Sequence, residues 1–384
     1  MEFDYSAEQI QLRELVREFA EGEIAPHVRR WDEEETFPAE IVAKLGQMGY
    51  LGAIFPEELG GAGLGYVEYC IILEELARVD PSVALIVAAH TSLCANHIYL
   101  AGTEEQRRRY IPKLASGAWL GCWSLTEPEA GSDAAGTRTT AVRQGSEWVL
   151  NGAKTFTTNA AEAHVCVAMA VTNRAAGHRG ISAFIIEKGT PGFRLGKKEA
   201  KMGMRATSTG EVIFEDCRLP ASQLLGGEGQ GFVDSLRVLD GGRISIAALA
   251  IGIAQGAFDA SIRHARHRRQ FGRPIAEFQA IQHKLVDMAV SLDAARLLTY
   301  RAARMADRGQ RMTKEASMAK LFASEMAVRA AGEAVQIHGG YGFIKDYPVE
   351  KLYRDVKLCT IGEGTSEIQR LVIARQLLKD ACES

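Results

Sequence analysis

A glutamate between two glycines is the residue of this sequence best suited to do chemistry. Glu363 follows Gly362 and precedes Gly364 in the stretch CTIGEGTSEIQR, just before a helix that Thr365 or Ser366 can cap. Glycines on both sides let the backbone approach a ligand closely. In a dry cleft the pKa of such a carboxylate rises, and the group then serves as a base near neutral pH. A tight turn with an exposed glutamate has the same local sequence, and the short motif alone favours that interpretation.

Two stretches ahead of this glutamate carry groups that could bind a ligand. The loop TEPEAGSD, from Thr126 to Asp133, supplies hydroxyls, a glycine and backbone N–H groups that can bind an anionic group such as a diphosphate. In KTFTTN, Phe156 offers an aromatic face and Thr158 a hydroxyl. The alternatives stay open, because the hydroxyls of a Pro/Gly turn often bond to their own backbone. Alternating Phe and Thr are also ordinary in a half-buried strand.

A basic run extends from Arg263 to Arg273. Such a run is typical of a solvated helix face, although arginine is also suited to clasping a diphosphate in a bidentate way. His264 and His267 are spaced for one side of a helix, but no carboxylate or cysteine completes a metal site. We therefore expect no metal.

The composition is that of an ordinary soluble protein with more than one domain. The chain has 384 residues, a net charge of −3 and 24% charged residues, so there is no electrostatic reason to expect a nucleic-acid or membrane partner. Seven scattered cysteines form no C-x-x-C pair, which argues against disulfides and structural zinc and favours a reducing compartment. No secretory signal is visible in MEFDYSAEQIQLRELVREFA, so a cytoplasmic protein is expected.

Residues 1–119 are predicted to form a helical domain. Capping-box patterns at Ser6–Gln9 and Thr103–Gln106 precede helically spaced apolar residues. The most apolar window, from Ser82 to Ile98, is short for a bilayer span of roughly 20 residues. It is interpreted as a buried helix.

Residues 120–226 are predicted to form an antiparallel β-domain. Short runs rich in β-branched and aromatic residues (EWVLNG, KTFTTN, HVCVAMAV, ISAFIIEK, GEVIFEDC) are separated by turn residues.

Residues 227–384 are predicted to form a four-helix bundle. Three long helices, at roughly 232–267, 278–306 and 313–338, are joined by short linkers, and a shorter helix follows Glu363. The sequence as a whole therefore predicts an α+β protein in which a β-domain lies between two helical domains.

Several motifs in order along nearly the whole chain resemble those of the acyl-CoA dehydrogenase family. TEPEAGSD, LNGAKTFTTNA, LDGGRISIAALAIGIAQGA, RRQFGRPIAEFQAIQ, QIHGGYGF and EGTSEIQR occur in the family's order and at its spacing. Stretches such as GKKEAKMGMRATST and LTYRAA are most similar to short-chain, butyryl-CoA-type members.

The resemblance implies an FAD-dependent dehydrogenase of fatty-acid β-oxidation. Glu363 would abstract the α-proton of an acyl-CoA, and flavin N5 would accept the β-hydride. The implied cofactor residues are Trp123, Leu125, Thr126, Gly131, Ser132, Phe156, Thr157, Thr158, Arg268, Gln270, Phe271, Gln279, Gln336, Gly339, Gly340, Thr365 and Glu367. The implied substrate residues are Ser132, Asp240, Arg243 and Gly364.

The resemblance also implies partners. Gln336, Gly339 and Gly340 would contact the FAD of a neighbouring subunit, which implies a homotetramer built as a dimer of dimers. An electron-transfer flavoprotein would accept the electrons.

Two positions depart from the commonest family pattern, and a third assigns the base. Glu129 stands where glycine is frequent, and Gly362 stands where many short- and medium-chain members have tyrosine. Losing that ring should widen the pocket and admit branched short acyl groups. Some relatives place the base at the position of Gly242, so this glycine assigns the base to Glu363.

Rival functions keep the same fold. A flavin oxidase or monooxygenase would pass electrons to O2, and a non-catalytic acyl-CoA-binding scaffold would have lost the base or the FAD contacts. A glutaryl-CoA-type decarboxylating enzyme would need an arginine in HTSLCANH, and this stretch contains none.

Overall fold

The computed structural model describes residues 4–383, with side chains described from residue 4 to residue 379. The predicted order of a helical part, a β-sheet and a second helical part is confirmed. Six cysteines are free and buried, while Cys382 lies outside the described side chains.

The N-terminal part is built from seven α-helices. Both predicted capping boxes are formed, by Ser6 with Gln9 and by Thr103 with Gln106. The helices are α1 (Ala7–Phe19), α2 (Val28–Glu34), α3 (Ala39–Gln47), α4 (Tyr66–Val79), α5 (Pro81–Ala88), α6 (Asn96–Ala101) and α7 (Glu104–Ala115).

The predicted buried apolar helix is present, but it is not a uniform α-helix. Asp80 caps α5 by accepting a hydrogen bond from the N–H of Ser82, and a π-helical segment, Ala89–Ala95, joins α5 to α6. Such π-helical insertions are frequent at functional sites.

Two helical stretches, Pro81–Ala101 and Gly231–His267, are long and apolar enough to cross a membrane. However, 89% and 83% of their most apolar windows are buried inside the protein, as in the core helices of soluble proteins.

The middle part is an eight-stranded sheet with the order β6-β7-β3-β2-β4-β5-β8, in which β1 also pairs with β4. Its strands are β1 (Gly121–Ser124), β2 (Thr140–Gln144), β3 (Glu147–Thr158), β4 (Val165–Val171), β5 (Ile181–Glu187), β6 (Phe193–Lys198), β7 (Thr209–Pro220) and β8 (Leu224–Leu225).

The predicted β-domain is confirmed, but two of its strand pairings are parallel and not antiparallel. Strand β1 runs parallel to β4, with Gly121 opposite Val165, and β2 meets β4 in parallel at Thr140 and Val171. Parallel neighbours need a long crossover, and the β2–β3 hairpin provides the one between β1 and β4.

The C-terminal part contains the predicted bundle. Its four helices are α8 (Gly231–His267), α9 (Gln279–Asp307), α10 (Thr313–His338) and α12 (Ser366–Glu383), and a short helix α11 (Val349–Asp355) precedes the last of them. Two short strands, β9 (Arg269–Gln270) and β10 (Arg273–Pro274), form a hairpin after α8. Helix α8 also packs against α4 and α5, which joins the two helical parts.

A buried ionic cluster connects all three parts. Nζ of Lys351 lies 2.8 Å from Asp80 and 2.6 Å from Asp355, and Asp355 also accepts a hydrogen bond from the N–H of Met204 at 2.5 Å. Lys351, Asp80 and Asp355 are all buried. This network fixes the loop before β7 against both helical parts.

Candidate active site

Glu363 lies on a left-handed turn directly before α12. Its φ is +55° and that of Gly364 is +96°, and a non-glycine residue in this region is strained. Nε2 of Gln369 donates to the carbonyl oxygens of both residues, at 3.1 and 3.0 Å. Of the two predicted caps, Thr365 is the one used, since its Oγ1 accepts a hydrogen bond from the N–H of Ile368. The turn therefore presents the Glu363 side chain from a fixed backbone.

The carboxylate of Glu363 points into the protein. Its Oε2 is buried and has no hydrogen-bond partner among the described residues. A β-carbon added to Gly242 on α8 would lie 1.9 Å from that oxygen and 3.0 Å from Cδ2 of Leu93. Burial raises the pKa of Glu363 to about 7, although the positive charges of Lys320 and Arg243 oppose the rise. A buried carboxylate of this pKa is suited to take a proton near neutral pH.

Lys320 is a neighbour of Glu363 that sequence analysis did not identify. It is fully buried, and its Nζ donates to the carbonyl oxygen of Gly364 at 2.7 Å. Burial lowers its pKa to about 8. The signal was present in the sequence, because Lys320 interrupts the small and apolar residues of SMAKLFA.

Tyr69 is a second neighbour that the sequence did not reveal. Its ring is fully buried, and its hydroxyl has no hydrogen-bond partner in the described part of the chain. Burial raises its pKa, and the Glu363 carboxylate is close enough to raise it further. Tyr69 is therefore a buried residue within electrostatic range of Glu363.

The two predicted substrate residues on α8 form an internal pair. Nη1 of Arg243 donates to Oδ1 of Asp240 at 2.7 Å, and Oδ2 of Asp240 accepts from the hydroxyl of Thr313 at 2.6 Å. Arg243 is buried, and its Nε has no partner within the described residues. Burial lowers the pKa of Arg243, and the nearby charges of Asp240 and Glu363 counteract this effect. The pair thus lies next to Glu363, with Asp240 the more accessible member.

The π-helical segment lies between Glu363 and the β-sheet. Leu93 approaches Gly242, whereas the sulfur of the next residue, Cys94, would lie 2.6 Å from a β-carbon added to Gly121 on β1. Ser92 is buried, and its hydroxyl accepts a hydrogen bond from Ser245 at 2.9 Å. Of residues 92–94, Leu93 is therefore the one that reaches the space between Gly242 and Glu363.

Strand β1 and the loop that follows it hold the first group of predicted cofactor residues. Nε1 of Trp123 donates to Nδ1 of His97 at 3.0 Å, which fixes the indole. The carbonyl of Thr126 accepts a hydrogen bond from the N–H of Thr155 at 2.9 Å. The buried carbonyl of Leu125 accepts from Nζ of Lys154 at 3.2 Å.

An ion pair that the sequence did not indicate supports this loop. Nζ of the buried Lys154 lies 2.7 Å from the Glu127 carboxylate, which also accepts the N–H groups of Arg138 and Thr139. Glu129, the departure noted above, forms an exposed ion pair with Arg138. Its added charge is therefore partly compensated within the loop. Gly131 and Ser132 are exposed, and a β-carbon on Gly131 would meet nothing within 4 Å.

Phe156 presents an aromatic face to the outside of the sheet. It is 64% exposed and has a φ of +56°, at a bulge where the register with β7 shifts between Lys154 and Thr157. Thr157 faces inward instead, and its hydroxyl lies 2.8 Å from that of Ser124. Thr158 is half-buried. Of the three predicted residues, Phe156 and Thr158 have accessible side chains, while Thr157 links β3 to β1.

The second group of predicted cofactor residues lies at the other end of the bundle. Phe271 is 94% exposed, with a φ of +51°, and the Arg268 guanidinium lies 5.2 Å from the ring centre of Tyr341. Tyr341 directly follows the exposed pair Gly339 and Gly340. Gln270, Gln279 and Gln336 are exposed as well. From Gly242 to Arg268 helix α8 extends over about 40 Å, at 1.5 Å per residue.

Thr365 and Glu367, at the start of α12, line an open groove of about 380 Å³. Lys357, Arg329 and Glu325 contribute the other charged groups of its wall. This groove is on the outer side of the Glu363 turn.

The sites on β1, β3 and the TEPEAGSD loop fit a flavin. The exposed face of Phe156, the half-buried Trp123 and the open surroundings of Gly131 provide aromatic surface and accessible backbone. Within the described residues no group of three or more His, Cys, Asp or Glu side chains is arranged to hold a metal ion.

Three family models together match most of the chain. The N-terminal, middle and C-terminal domains of acyl-CoA dehydrogenase match residues 6–118, 122–217 and 229–378. The chain belongs to the acyl-CoA dehydrogenase family. It is therefore a flavoprotein oxidoreductase that acts on a CH–CH group.

Individual acyl-CoA dehydrogenases match over their full length. The probable acyl-CoA dehydrogenase YngJ of Bacillus subtilis (strain 168) is 51% identical over 380 residues, which are 99% of this chain and 100% of YngJ. The butyryl-CoA dehydrogenase of Megasphaera elsdenii superposes with a TM-score of 0.97 and 42% identity, covering 98% of this chain and 100% of that one. A chain in the structure of the electron-transferring flavoprotein of Acidaminococcus fermentans superposes equally well, with a TM-score of 0.97, 46% identity and the same two coverages.

Proposed function

We propose that this protein oxidises a short acyl-CoA to the trans-2-enoyl-CoA, with Glu363 as the base and FAD as the cofactor. The observation that carries the proposal is the position of Oε2 of Glu363. This oxygen is buried without a partner in the described chain, opposite a glycine that leaves room for it on α8. A reactive carboxylate needs such a free oxygen, because a satisfied one would have to break a hydrogen bond first.

The α-proton of a thioester is a weak acid, so the site must both remove it and stabilise the charge that develops on the carbonyl oxygen. Glu363 in its ionised form takes the proton. By the family resemblance, the backbone N–H of the same residue is one donor to the carbonyl oxygen. The strained, doubly anchored turn keeps the carboxylate and this N–H in a fixed relation. FAD, when bound, supplies the acceptor for the β-hydride.

Trp123, Thr126, Phe156 and Thr158 are the side chains that would hold the flavin ring. Ser132 and the backbone around Gly131 would bind the phosphates, since hydroxyls and free N–H groups suit that role. PigA, a structural neighbour at 30% identity and a TM-score of 0.95, is described with FAD and proline. It supports FAD as the cofactor of this framework.

A short acyl chain is supported by the inner wall of the pocket. Tyr69 and Ser92 are both fully buried, and Leu93, which follows Ser92, reaches the space between Gly242 and the base. The similarity to the butyryl-CoA dehydrogenase of M. elsdenii points to the same length class. At Gly362 a β-carbon would meet nothing closer than 3.5 Å. This open side is the basis for proposing that branched short chains are also accepted.

We further propose an oligomer in which two subunits contribute to each flavin site. Arg268, Phe271 and Gly339 are about 40 Å along the bundle from the base of the same chain, farther than one subunit's flavin site would extend. Phe271 and Phe343 are 94% and 87% exposed, and large exposed rings are typical of surfaces that a partner covers. A dimer already satisfies both points, and the family resemblance extends it to a homotetramer.

An electron-transfer flavoprotein is the proposed electron acceptor. The support is the superposition on a chain in the structure of the A. fermentans flavoprotein. The competing outcome is oxidation by O2, as in a flavin oxidase.

The test is the visible spectrum of the FAD-loaded protein during anaerobic addition of butyryl-, isobutyryl-, isovaleryl- and octanoyl-CoA. We expect butyryl-CoA to bleach the flavin, and mass spectrometry to find a product lacking two hydrogens. Electron-transfer flavoprotein should then restore the colour faster than dissolved oxygen. A flavin that none of the four reduces would refute the proposed substrate class, and rapid peroxide formation in air would favour an oxidase.

A further inference from the structure

Lys320 is a buried cation with an unusual set of partners. It lies on α10 with Ala316, Ala319 and Ala323, all fully buried. Its ammonium donates to the carbonyl oxygen of Gly364 at 2.7 Å. An ammonium group removed from water is costly unless nearby groups compensate its charge.

The groups that face Lys320 come from three other elements. They are Cys359 from the segment after α11, Glu363 and Glu367 from the turn and start of α12, and Arg243 from α8. The groups that face the carboxylate of Glu363 are Lys320 and Arg243, with Tyr69 of α4 nearby. Arg243 is already paired with Asp240. Of these two positive charges near Glu363, that of Lys320 is therefore the one that no carboxylate contacts directly within the described structure.

We propose that Lys320 is the positioning residue of the catalytic base. Its ammonium anchors the turn that carries Glu363 and supplies a positive charge that favours the ionised form of the Glu363 carboxylate.

The anchoring part rests on the backbone. Glu363 and Gly364 both have positive φ angles, so a strained residue must be held by its surroundings. Lys320 and Gln369 hold the carbonyl oxygen of Gly364 from two sides, at 2.7 and 3.0 Å.

The electrostatic part follows from opposing effects on the base. Burial raises the pKa of Glu363, and Lys320 is the largest influence that lowers it. Without the ammonium, the pKa would rise further above about 7, and a smaller fraction of the enzyme would carry an ionised base at physiological pH.

This inference rests on the proposed function, and its experiment separates the two. The rate of anaerobic flavin reduction by butyryl-CoA is measured by stopped flow between pH 5.5 and 9.5, for the wild type and for Lys320→Met, Lys320→Gln and Lys320→Arg. If the wild type itself is not reduced, the proposed function fails. If the wild type is reduced, the variants decide the role of Lys320.

Lys320→Met and Lys320→Gln both lose the charge, and Gln keeps a donor. We expect the rising limb of their pH profiles to move to higher pH by about one unit or more. The rate at pH 6, taken relative to the rate at pH 9.5, should then be roughly tenfold lower than in the wild type. Lys320→Arg keeps the charge and should leave the limb in place while lowering the rate at every pH. A uniform loss in all three variants with an unmoved limb would overturn the electrostatic role.

A second measurement does not depend on turnover. The infrared band of protonated Glu363, identified by its absence in Glu363→Gln, is titrated in the FAD-loaded protein without substrate. We expect its midpoint at higher pH in Lys320→Gln than in the wild type. Equal midpoints would contradict the proposal even if the variants were slow.

Discussion

Gly242 and Glu363 share one space at the centre of the protein. A β-carbon added to Gly242 would lie 1.9 Å from Oε2 of Glu363. That distance is far below a van der Waals contact, so the α8 position can carry a side chain only if the carboxylate moves. The base at 363 and the glycine at 242 therefore depend on each other.

Gly242→Ala should displace the catalytic carboxylate. Overpacking a filled site costs about 1–3 kcal/mol, and we expect flavin reduction to slow by at least tenfold while the protein still binds FAD. Gly340→Ala is not a suitable control, because it lies in the proposed cofactor site. Gly22→Ala is a better one, since a β-carbon there meets nothing within 4 Å and the glycine does not have a positive φ. A Gly242→Ala enzyme with the wild-type rate would contradict the shared-space account.

The same relationship predicts that the base can be moved. In Gly242→Glu/Glu363→Gly, the new carboxylate would occupy the space that the old one vacates. We expect measurable flavin reduction by butyryl-CoA in the double variant, above that of either Glu363→Gly or Gly242→Glu alone. If the double variant is no faster than the single ones, the two positions do not serve the same substrate atom.

The rate of flavin reduction should rise with pH through neutrality. Burial raises the pKa of Glu363 to about 7, and only the ionised form accepts a proton. In the free enzyme the base is therefore lost as the pH falls through that value, by about tenfold per unit well below it. Stopped-flow rates at low butyryl-CoA concentration report this limb. A flat profile from pH 5.5 to 8 would show that the pKa of the base lies outside this range.

Tyr69 should limit the length of the acyl chain. Tyr69→Ala removes a fully buried ring and should raise the rate with octanoyl-CoA relative to butyryl-CoA by at least tenfold. It should also lower the free energy of unfolding, by about 3–5 kcal/mol as for other buried aromatic residues cut to alanine. Tyr69→Phe is the matched control, because it keeps the ring and removes only the unpartnered hydroxyl. An unchanged chain-length preference in Tyr69→Ala would place the end of the pocket elsewhere.

Gly362 should control branching. A side chain has room to start there, with the nearest atom 3.5 Å from an added β-carbon, so Gly362→Tyr can fold with its ring narrowing the pocket. We expect rates with isobutyryl- and isovaleryl-CoA to fall more than the rate with butyryl-CoA. If the variant keeps its full rate on the branched substrates, the open side has no role in selectivity.

Local sequence signals were sufficient for most of the helical fold. The helix predicted at 313–338 has those ends, the one predicted at 232–267 begins one residue earlier, and the one predicted at 278–306 differs by one residue at each end. Glycines and a proline close to these ends (Gly229, Pro274, Gly309 and Gly339) act locally. The parallel pairing of β1 with β4 was missed because Gly121 and Val165 meet across a long crossover, and a strand's own sequence does not reveal its neighbour.

The candidate site was predicted only where a motif surrounds the functional residue. Glu363 and Phe156 belong to recognisable stretches, whereas Lys320 and Tyr69 become important through the elements packed around them. Thr157 lies within a recognisable motif but does not have an accessible side chain. Its neighbours in the strand are accessible, whereas its own side chain is turned inward to Ser124. A shift of one residue at the bulge decides which threonine side chain is accessible to a ligand. The sequence alone does not predict that shift.

The most direct test of the central claim is the rate of flavin reduction in Glu363→Gln. The change keeps the size of the side chain and removes the base, and Glu215→Gln, which alters an exposed partner of Arg194, is the matched control. In anaerobic stopped flow with butyryl-CoA, we expect Glu363→Gln to bind FAD and substrate but to be reduced at least a thousandfold more slowly, with Glu215→Gln at the wild-type rate. Reduction of Glu363→Gln within a few fold of the wild type would show that another group removes the α-proton.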